Sequence, residues 1–496
     1  MSDDINRDLA RKYDTVAYAA QANPQSHPTH LGTVATLLGL APPAVATARV
    51  LEVGCSDGAN LLPMAVTLPG AHLTGCDISG EAIAAARRGA AALALSNVEF
   101  VQADLATLAE GEPFDYIVAH GVYSWVPASV RDALLSLASR RLARNGVMFV
   151  SFNVYPGCHV RQAAWEMLHF HVDHIADPAA RLAQARAFAG LLAEPSVAQT
   201  ETDNLLRHEL AKLASQTDSA LFHDDLAVPN DPLYFHEFNA HLGRHGLAYL
   251  GEAKLSMMTA AGLTPRVQQF LSTLDRIMRE QYLDFARLRR FRQSLVCHAD
   301  AEPSSAPPAE RASAMFAAAS TPLVRSAVEG KAFADAVPAD PSARATRALL
   351  QWLVEEAPRP VPVREAAQWL AARAPRDAAS ARPVAQLLAE ACYAGSVELY
   401  TEPPPLAHAP QERPRASAIV RWQAGRQPNL TNLRHEPLRI DDPHALALLA
   451  LMDGTRTRDA LASALAARLP DAERAQAAER LTTYLSQFTL HGLLAA

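Results

Sequence analysis

Short apolar runs alternate with longer segments of helical periodicity over residues 49–155. The apolar runs are rich in Val, Ile and Phe, and the segments between them, such as residues 81–94 and 128–143, are rich in Ala, Leu and Arg. Strands that alternate with helices form a parallel sheet with helices on both faces. The pattern predicts an α/β domain with strands at Arg49–Cys55, His72–Ile78, Val98–Asp104, Phe114–His120 and Gly146–Phe152.

A mostly helical block at residues 158–230 follows, which we interpret as an insertion into the sheet. After it, a helix that ends at Gly246 leads into a predicted strand at Leu247–Ala253, and another strand is predicted at Phe291–His298. We therefore expect the sheet to resume after the insertion, and the first domain to span residues 1–300.

Two Pro-rich segments divide the rest of the chain. Residues 301–313 and 403–415 combine Pro with Ala, Ser or charged residues, a composition that is typical of linkers. Residues 314–402 contain helices followed by a strand that starts after a Gly, which predicts a winged-helix-like domain. Residues 416–496 are expected to form a third unit of similar size.

Composition narrows the classes of partner and compartment. The 496 residues contain 45 Lys and Arg and 52 Asp and Glu, a net charge of −7 that argues against nucleic acid as a partner. The five cysteines show no CxxC spacing, so neither a disulfide framework nor a zinc site is expected, and a reducing cytoplasm fits best. The polar N-terminus is unlike a signal peptide, and no run of about 18 apolar residues predicts a transmembrane helix.

The segment Glu52–Gly58, with the sequence EVGCSDG, directly follows the first predicted strand. Its small Gly54, Ser56 and Gly58 let the backbone approach a ligand closely in a strand-to-helix turn. A triphosphate loop needs Lys and then Ser or Thr after its last glycine, whereas Ala and Asn follow here, and the dinucleotide pattern GxGxxG is absent. The loop therefore predicts a nucleoside-like ligand of another kind.

Three acidic residues end three consecutive predicted strands. Glu52 can orient a cationic amino group, Asp77 can accept hydrogen bonds from ribose hydroxyls, and Asp104 can face an adenine amino group. Each acid alone is equally well explained as a helix cap. Together they converge on the crevice where open α/β sheets bind ligands, and the combination indicates S-adenosylmethionine.

These residues resemble the class I S-adenosylmethionine-dependent methyltransferases, in particular the multi-domain subgroup with a methyltransferase regulatory domain. The resemblance implies S-adenosyl-L-methionine as cofactor and a Rossmann-like sheet with a helical insertion, followed by two small winged-helix-like α+β domains. It also implies a regulatory region at residues 215–299 and a polypeptide substrate, since the best-known members methylate lysines of bacterial outer-membrane proteins. The matching segments are Tyr13–Leu31, Val50–Ala65, Phe114–Pro127, Ser151–Gly157, His223–Phe238 and Phe291–Cys297, with a weaker match at Asp453–Thr457.

The resemblance also assigns roles to individual residues. It places the methionine end of the cofactor at the loop, the ribose at Asp77, the adenine at Asp104 and Leu105, and the sulfonium beside His120 and Gly121. Two tyrosines of the N-terminal segment are expected to close over the cofactor. The residues carried over for the methionine end are Gly54, Ser56, Gly58 and Asn60, and the two tyrosines are Tyr13 and Tyr18.

The segment HGVYSWVP predicts the wall of the methyl-acceptor pocket. Aromatic faces at Tyr123 and Trp125 can bind a cation, and the Tyr123 hydroxyl, Asn153 or Tyr155 can bond an amine. His120, at the start of the segment, is a further candidate. The alternative is that Trp125 and Tyr155 only pack at the edge of the sheet. The family often has an aromatic residue after Tyr-Pro-Gly, whereas Cys158 stands here, so the acceptor can differ.

A metal centre is not expected from four further histidines. His159, His169, His171 and His174 do not place three ligands and a carboxylate on one helix face, which favours solvated or packed side chains. Three functions stay open: a methyltransferase acting on lysine side chains of a protein, an O- or N-methyltransferase of a small metabolite, and a non-catalytic scaffold. A homodimer also stays open.

Overall fold

A computed structural model describes residues 20–105, 108, 111–195, 200–333 and 339–496. Its largest element is a seven-stranded sheet of order β3-β2-β1-β4-β5-β7-β6. The first five strands pair in parallel, as predicted, and β7 runs antiparallel to both of its neighbours. The strands are β1 Arg49–Val53, β2 His72–Asp77, β3 Val98–Gln102, β4 Phe114–Ala119, β5 Leu142–Asn153, β6 Leu247–Glu252 and β7 Phe291–His298.

Alternating side chains of the central strands enter two separate cores. Val50 of β1 belongs to the core on one face, and Leu51 and Val53 belong to the core on the other. Because both faces are covered by helices, the strands read as continuous apolar runs. The helices of the first domain are α1 Pro28–Leu37, α2 Leu61–Thr67, α3 Gly80–Ala92, α4 Ala128–Arg141, α5 Cys158–Val172, α6 Pro178–Ala193, α7 Glu201–Ser215, α8 Phe235–Arg244, α9 Pro265–Ser272 and α10 Arg276–Arg287.

The predicted helical insertion is present as α5, α6 and α7, which share a small apolar core of their own. A helical turn at Asp218–Ala220 and a π-helical turn at Leu221–Asp225 follow α7. The chain then returns to the sheet through α8 and β6. The insertion and the π-helical turn therefore stand next to the carboxyl end of β5.

The second domain is an antiparallel sheet of order β10-β8-β9 packed against helices. Its core is continuous with that of the first domain, and the Thr401 amide donates to Thr33 Oγ1 at 3.0 Å. Part of the predicted first linker is folded, because α11 packs there and Arg311 donates to the Leu37 carbonyl. The elements are α11 Pro308–Ala312, β8 Phe316–Ala319, α12 Thr321–Val328, α13 Pro341–Glu355, β9 Val361–Pro362, α14 Val363–Arg373, α15 Pro375–Ser380, α16 Val384–Tyr393 and β10 Val397–Tyr400.

The third domain is a helical unit with one β-hairpin and a separate apolar core. Its elements are α17 Ala418–Ala424, β11 Asn429–Thr431, β12 Pro437–Arg439, α18 Pro443–Leu451, α19 Arg458–Ala466 and α20 Ala477–Leu490. The architecture agrees with the predicted class of a Rossmann-like sheet followed by two small α+β domains. Within the described ranges, no helix is both long and apolar enough to cross a bilayer.

Candidate cofactor and acceptor site

A cavity of about 1460 Å³ opens at the carboxyl ends of the parallel strands. This is the edge at which open α/β sheets bind ligands. One end of the cavity is lined by residues that follow β1, β2 and β3, and the other by residues from the ends of β4 and β5, the insertion and β7. The predicted cofactor residues on its wall are Glu52, Gly54, Ser56, Asn60, Asp77, Asp104, Leu105, His120 and Gly121.

The loop after β1 has the backbone that its small residues predict. Gly54, Ser56 and Gly58 have φ values of 70°, 47° and 79°, the left-handed region that favours glycine. A Cβ atom on Gly54 would lie 2.7 Å from the Val122 side chain. Gly58 does not line the cavity; a Cβ there would lie 2.9 Å from the Phe100 ring, so this glycine serves packing behind the loop.

Asp77 ties this loop to the end of β2. One carboxylate oxygen accepts a hydrogen bond from the Ser56 amide and the other accepts one from the Ser79 amide, each at 2.9 Å. A carboxylate has about four acceptor positions in total, more than these two hydrogen bonds use. The helix-cap interpretation and the ligand interpretation of this acid are therefore compatible.

Glu52 is a buried acid whose partners are incomplete. It is 4% exposed, and Oε1 accepts a hydrogen bond from Asn60 Nδ2 at 2.6 Å. Oε2 is buried and lacks a hydrogen-bond partner among the described residues. Burial raises the pKa of this carboxyl to about 8. An unpaired buried oxygen on the cavity wall is a binding point for a cationic or hydrogen-bonding ligand group.

Asn60 connects the cofactor loop to the third domain. Its Oδ1 accepts hydrogen bonds from the Asn23 amide at 2.9 Å and from His435 Nε2 at 2.8 Å. His435 lies in the β11–β12 hairpin, 375 residues from Asn60, and is 2% exposed. Desolvation holds the pKa of His435 well below its usual value, so the imidazole is neutral and donates its Nε2 proton. Sequence analysis assigned no role to this histidine.

His120 and Gly121 end β4 at the middle of the cavity. His120 Nδ1 lies 2.9 Å from Ser151 Oγ, and the Gly121 amide donates to the same oxygen at 2.8 Å. Burial lowers the pKa of His120 to about 4. The ring is therefore neutral at neutral pH and does not repel a cation beside it.

The predicted acceptor wall divides between the cavity and the core. Trp125 and Asn153 line the cavity, and the buried Trp125 Nε1 has no hydrogen-bond partner among the described residues. Tyr123 is 1% exposed and its hydroxyl lies 2.7 Å from His241 Nδ1. It therefore packs in the core and does not line the acceptor pocket as predicted. Tyr155 also lies off the cavity, with its ring stacked on His159 at 4.1 Å.

Tyr13 and Tyr18 lie outside the described residues. The cavity also has wall residues that sequence analysis did not assign, namely Cys158, Arg161, Asp224, Arg290 and Phe291. The family-like segment His223–Phe238 contains Asp224 and so pointed to this region. It gave no reason to choose between Asp224 and its neighbour Asp225. The departure from the family at Cys158 falls on this wall.

Three family models match successive parts of the chain. Residues 50–146 match a methyltransferase domain, residues 217–298 a predicted methyltransferase regulatory domain, and residues 412–487 the C-terminal winged helix domain of PKMT. The matched segments contain the loop, the acids and the hairpin described above. The chain belongs to the class I S-adenosylmethionine-dependent methyltransferases.

Relatives share this arrangement to different extents. RP789 of Rickettsia prowazekii is 37% identical over 58% of this chain and 53% of its own length, and RP028 of the same organism is 33% identical over 46% of this chain and 91% of its own. The chain thus spans about half the length of the first relative. PKMT2 from Rickettsia typhi is 24% identical with a TM-score of 0.85, covering 97% of this chain and 100% of that one, which shows a shared fold.

The residues of this methyltransferase fit S-adenosylmethionine. The unpaired Glu52 oxygen suits the ammonium of its methionine part, and the acid at the end of β2 lies on the cavity wall, where an acid can accept ribose hydroxyls. The positive-φ loop leaves room for close approach of the ligand to the backbone, and the neutral His120 tolerates a sulfonium nearby.

We expect cofactor binding to depend on pH through Glu52. Its pKa of about 8 means that the free enzyme holds the proton at neutral pH, and a bound ammonium favours the ionised form. Affinity should rise between pH 6 and 8, by up to about tenfold per unit. Titration calorimetry in buffers of different ionisation enthalpy should detect proton release on binding, and Glu52→Gln should abolish it.

The same raised pKa has a consequence for stability. The unfolded chain releases this proton near its ordinary value of 4.5, whereas the folded cofactor-free enzyme retains it up to about pH 8. The contribution of Glu52 to the free energy of unfolding therefore falls as pH rises through that interval. Glu52→Gln should remove this part of the pH dependence; an unchanged profile in the variant would contradict the assignment.

His435→Asn should weaken cofactor binding without unfolding the third domain. Asn tolerates the left-handed backbone at this position, where φ is 63°, but its shorter side chain does not reach Asn60. Loss of one buried hydrogen bond costs about 1 kcal/mol, or roughly a fivefold drop in affinity. The exposed His408→Asn is the matched control, and equal affinities in both variants would show that the hairpin does not support the cofactor loop.

Proposed function

We propose that this enzyme transfers a methyl group from S-adenosylmethionine to the side-chain amine of lysine in a polypeptide. The observation that carries the proposal is the Asp224 carboxylate, which lines the acceptor end of the cavity. It is an acid without an ion-pair partner in the described parts of the chain, and the arginines beside it are paired with other acids. Such a group selects a cationic acceptor.

The neighbouring charges favour Asp224 over Asp225 as the acid that would face the ligand. Asp225 is 1% exposed and accepts hydrogen bonds from Trp165 Nε1 at 2.6 Å and from Arg161 Nε at 2.9 Å. Arg290 pairs with Glu209 at 2.7 Å. Arg161 and Arg290, the two arginines at this end of the cavity, are thus neutralised by buried acids, and Asp224 keeps its charge available.

Trp125 complements this acid. Its half-buried ring lines the cavity and its indole N–H is unpaired within the described chain. An aromatic face attracts an ammonium or a methylammonium, by about 0.5–2 kcal/mol. A carboxylate and an indole that line the same cavity therefore suit an amine as methyl acceptor better than a carboxylic acid or a neutral hydroxyl.

Burial and the Asp225 charge raise the pKa of Asp224 to about 6, so it is ionised at neutral pH yet more basic than an ordinary aspartate. A lysine has to lose its proton before its nitrogen can accept a methyl group, and its usual pKa is about 10.4. Desolvation at the acceptor end of the cavity lowers the pKa of the lysine, and Asp224 can take the proton. The bound cofactor supplies an activated methyl group. The chain has to align the amine, which can contribute up to about 7–11 kcal/mol.

An aromatic strip beside the cavity supports a polypeptide rather than a metabolite as substrate. Successive rings, with centroids 4.1–6.1 Å apart, lead from the half-exposed Phe270 and Phe285 to Tyr155 and His159. Cys158, which precedes His159, lines the cavity. Aromatic residues are enriched where proteins bind other chains. The intermediate rings of the strip are Tyr282 and Tyr234.

Two comparisons add support of different kinds. The model that matches residues 412–487 describes a winged helix domain of PKMT, and the structure of PKMT2 from Rickettsia typhi has been solved with AdoHcy.

Five cysteines without disulfide bonds fit the cytoplasm as the site of action.

The experiment is the partition of a methyl label. The enzyme would be incubated with methyl-labelled S-adenosylmethionine and a bacterial lysate that has been divided by size into protein and metabolite fractions. Label in the protein fraction, released only by protease, is the expected result. Label confined to small molecules would overturn the proposal and favour a metabolite methyltransferase. No label in either fraction, with the cofactor bound, would favour a scaffold.

A further inference from the structure

Asp132, His241 and His245 form a cluster between α4 and α8, and none of the three lines the cofactor cavity. Asp132 lies on α4, and the two histidines lie at i and i+4 at the end of α8, so that they share one face of that helix. Their ligand-type atoms all lie within 4.8 Å of one another. The carboxylate is exposed, whereas the two imidazoles are mostly covered.

The distances suit a tetrahedral metal ion. Asp132 Oδ1 lies 3.0 Å from His245 Nε2 and 3.4 Å from His241 Nε2. Zinc bonds imidazole nitrogen and carboxylate oxygen at about 2.0–2.2 Å, so ligand atoms of a tetrahedral site stand about 3.3–3.5 Å apart. An ion can therefore be placed between the three atoms with small side-chain movements.

One of the histidines is also held from behind by a hydrogen bond. The buried Tyr123 hydroxyl lies 2.7 Å from His241 Nδ1, on the side of the ring opposite the cluster. Histidine ligands of metals commonly bond through their other nitrogen in this way, which fixes ring orientation and tautomer.

We propose that Asp132, His241 and His245 bind a divalent metal ion of the zinc class, with water in the fourth position. Two imidazoles and one carboxylate favour Zn²⁺ over Mg²⁺ or Ca²⁺, which prefer oxygen ligands. The site is independent of the proposed acceptor. None of the four histidines considered from the sequence belongs to it. Its carboxylate stands 109 and 113 residues before the two imidazoles, so no local spacing indicates the cluster.

The position of the site gives the ion a structural task. Asp132 belongs to the segment that matches the methyltransferase domain, and both histidines belong to the segment that matches the regulatory domain. Tyr123 follows Gly121 and Val122, which line the cofactor cavity. A bound ion would therefore hold the regulatory region against the catalytic sheet, beside the turn that carries Trp125.

The test is equilibrium dialysis of the metal-stripped full chain against Zn²⁺, with metal content measured by mass spectrometry. We expect one saturable Zn²⁺ per chain, with affinity at least tenfold lower in Asp132→Asn and in His245→Asn. Tyr123→Phe should weaken binding by about 10–100-fold through loss of the outer hydrogen bond. His208→Asn, which changes an exposed histidine on α7, should bind as the wild type does.

Wild-type protein provides a second measurement that needs no variant. Co²⁺ in place of Zn²⁺ should give the intense visible absorption of a four-coordinate site, and Zn²⁺ should displace it. Absence of saturable binding, absence of that absorption, or unchanged affinity in both ligand variants that fold by circular dichroism would overturn the proposal. The cluster would then be an ion pair between Asp132 and two histidines.

Discussion

Replacing Asp77 by Ala should lower the affinity for S-adenosylmethionine by at least about a hundredfold. The carboxylate stands at the end of β2 on the cavity wall, where we expect it to accept hydrogen bonds from both ribose hydroxyls. A hydrogen bond to a charged group contributes about 1.5–3 kcal/mol, so two of them account for a hundredfold or more. Titration calorimetry with S-adenosylhomocysteine measures the loss directly.

The Asp77→Ala variant also removes hydrogen bonds that hold the loop, and two control variants separate this effect from the loss of ligand contacts. Asp77 accepts the Ser56 and Ser79 amides, so its loss can loosen the loop as well as the ligand. Asp77→Asn keeps one carbonyl acceptor and should retain more affinity than Ala. Glu99→Ala removes an exposed acid from neighbouring β3 and should change nothing. Wild-type affinity in a folded Asp77→Ala enzyme would refute the ribose assignment.

Asp224→Asn should abolish most methyl transfer while it leaves cofactor binding intact. The substitution keeps the size of the side chain and removes the charge that binds the acceptor amine and takes its proton. General-base catalysis contributes about 10²–10⁴-fold, so we expect kcat for labelling of the protein fraction to fall at least a hundredfold. The affinity for S-adenosylhomocysteine should change less than about twofold, because Asp224 lies at the acceptor end.

The pH profile distinguishes this role from a structural one. With the wild type, kcat should rise with pH through about 6 as Asp224 ionises, and the Asn variant should lose that rise. Asp218→Asn is a matched control six residues earlier, at an exposed acid that pairs with Arg186. A rate in Asp224→Asn equal to that of the control would remove Asp224 from the acceptor site.

The loop and the strand that precedes it could be predicted from the sequence because their causes are local. Gly54 and Gly58 adopt left-handed backbone in a tight turn, and that requirement is visible in the residue types. The alternation of Val50 and Leu51 between two covered faces likewise shows as an apolar run. Strand bounds were predicted to within about two residues, except that β5 begins at Leu142 rather than Gly146.

The acceptor side could not be predicted as well, because it depends on long-range contacts. A 3-10 turn at Tyr123–Trp125 directs Trp125 to the cavity and Tyr123 to the core, and no sequence period distinguishes the two. Asp224 and Asp225 are equivalent in sequence, and only the folded chain shows that Asp225 is the one paired with Arg161 and Trp165. The contact of His435 with Asn60 joins two domains and leaves no local signal.

The most direct test of the central claim is the chemical identity of the methylated atom. Proteins labelled by the enzyme with methyl-deuterated S-adenosylmethionine would be digested and sequenced by tandem mass spectrometry. The wild type should place the label on lysine side-chain nitrogens, and the Asp224→Asn enzyme, with unchanged cofactor affinity, should label the same lysines far more slowly. Label on carboxylate oxygens, hydroxyls or amide nitrogens, at equal rates in both enzymes, would contradict an acceptor site built to bind an amine.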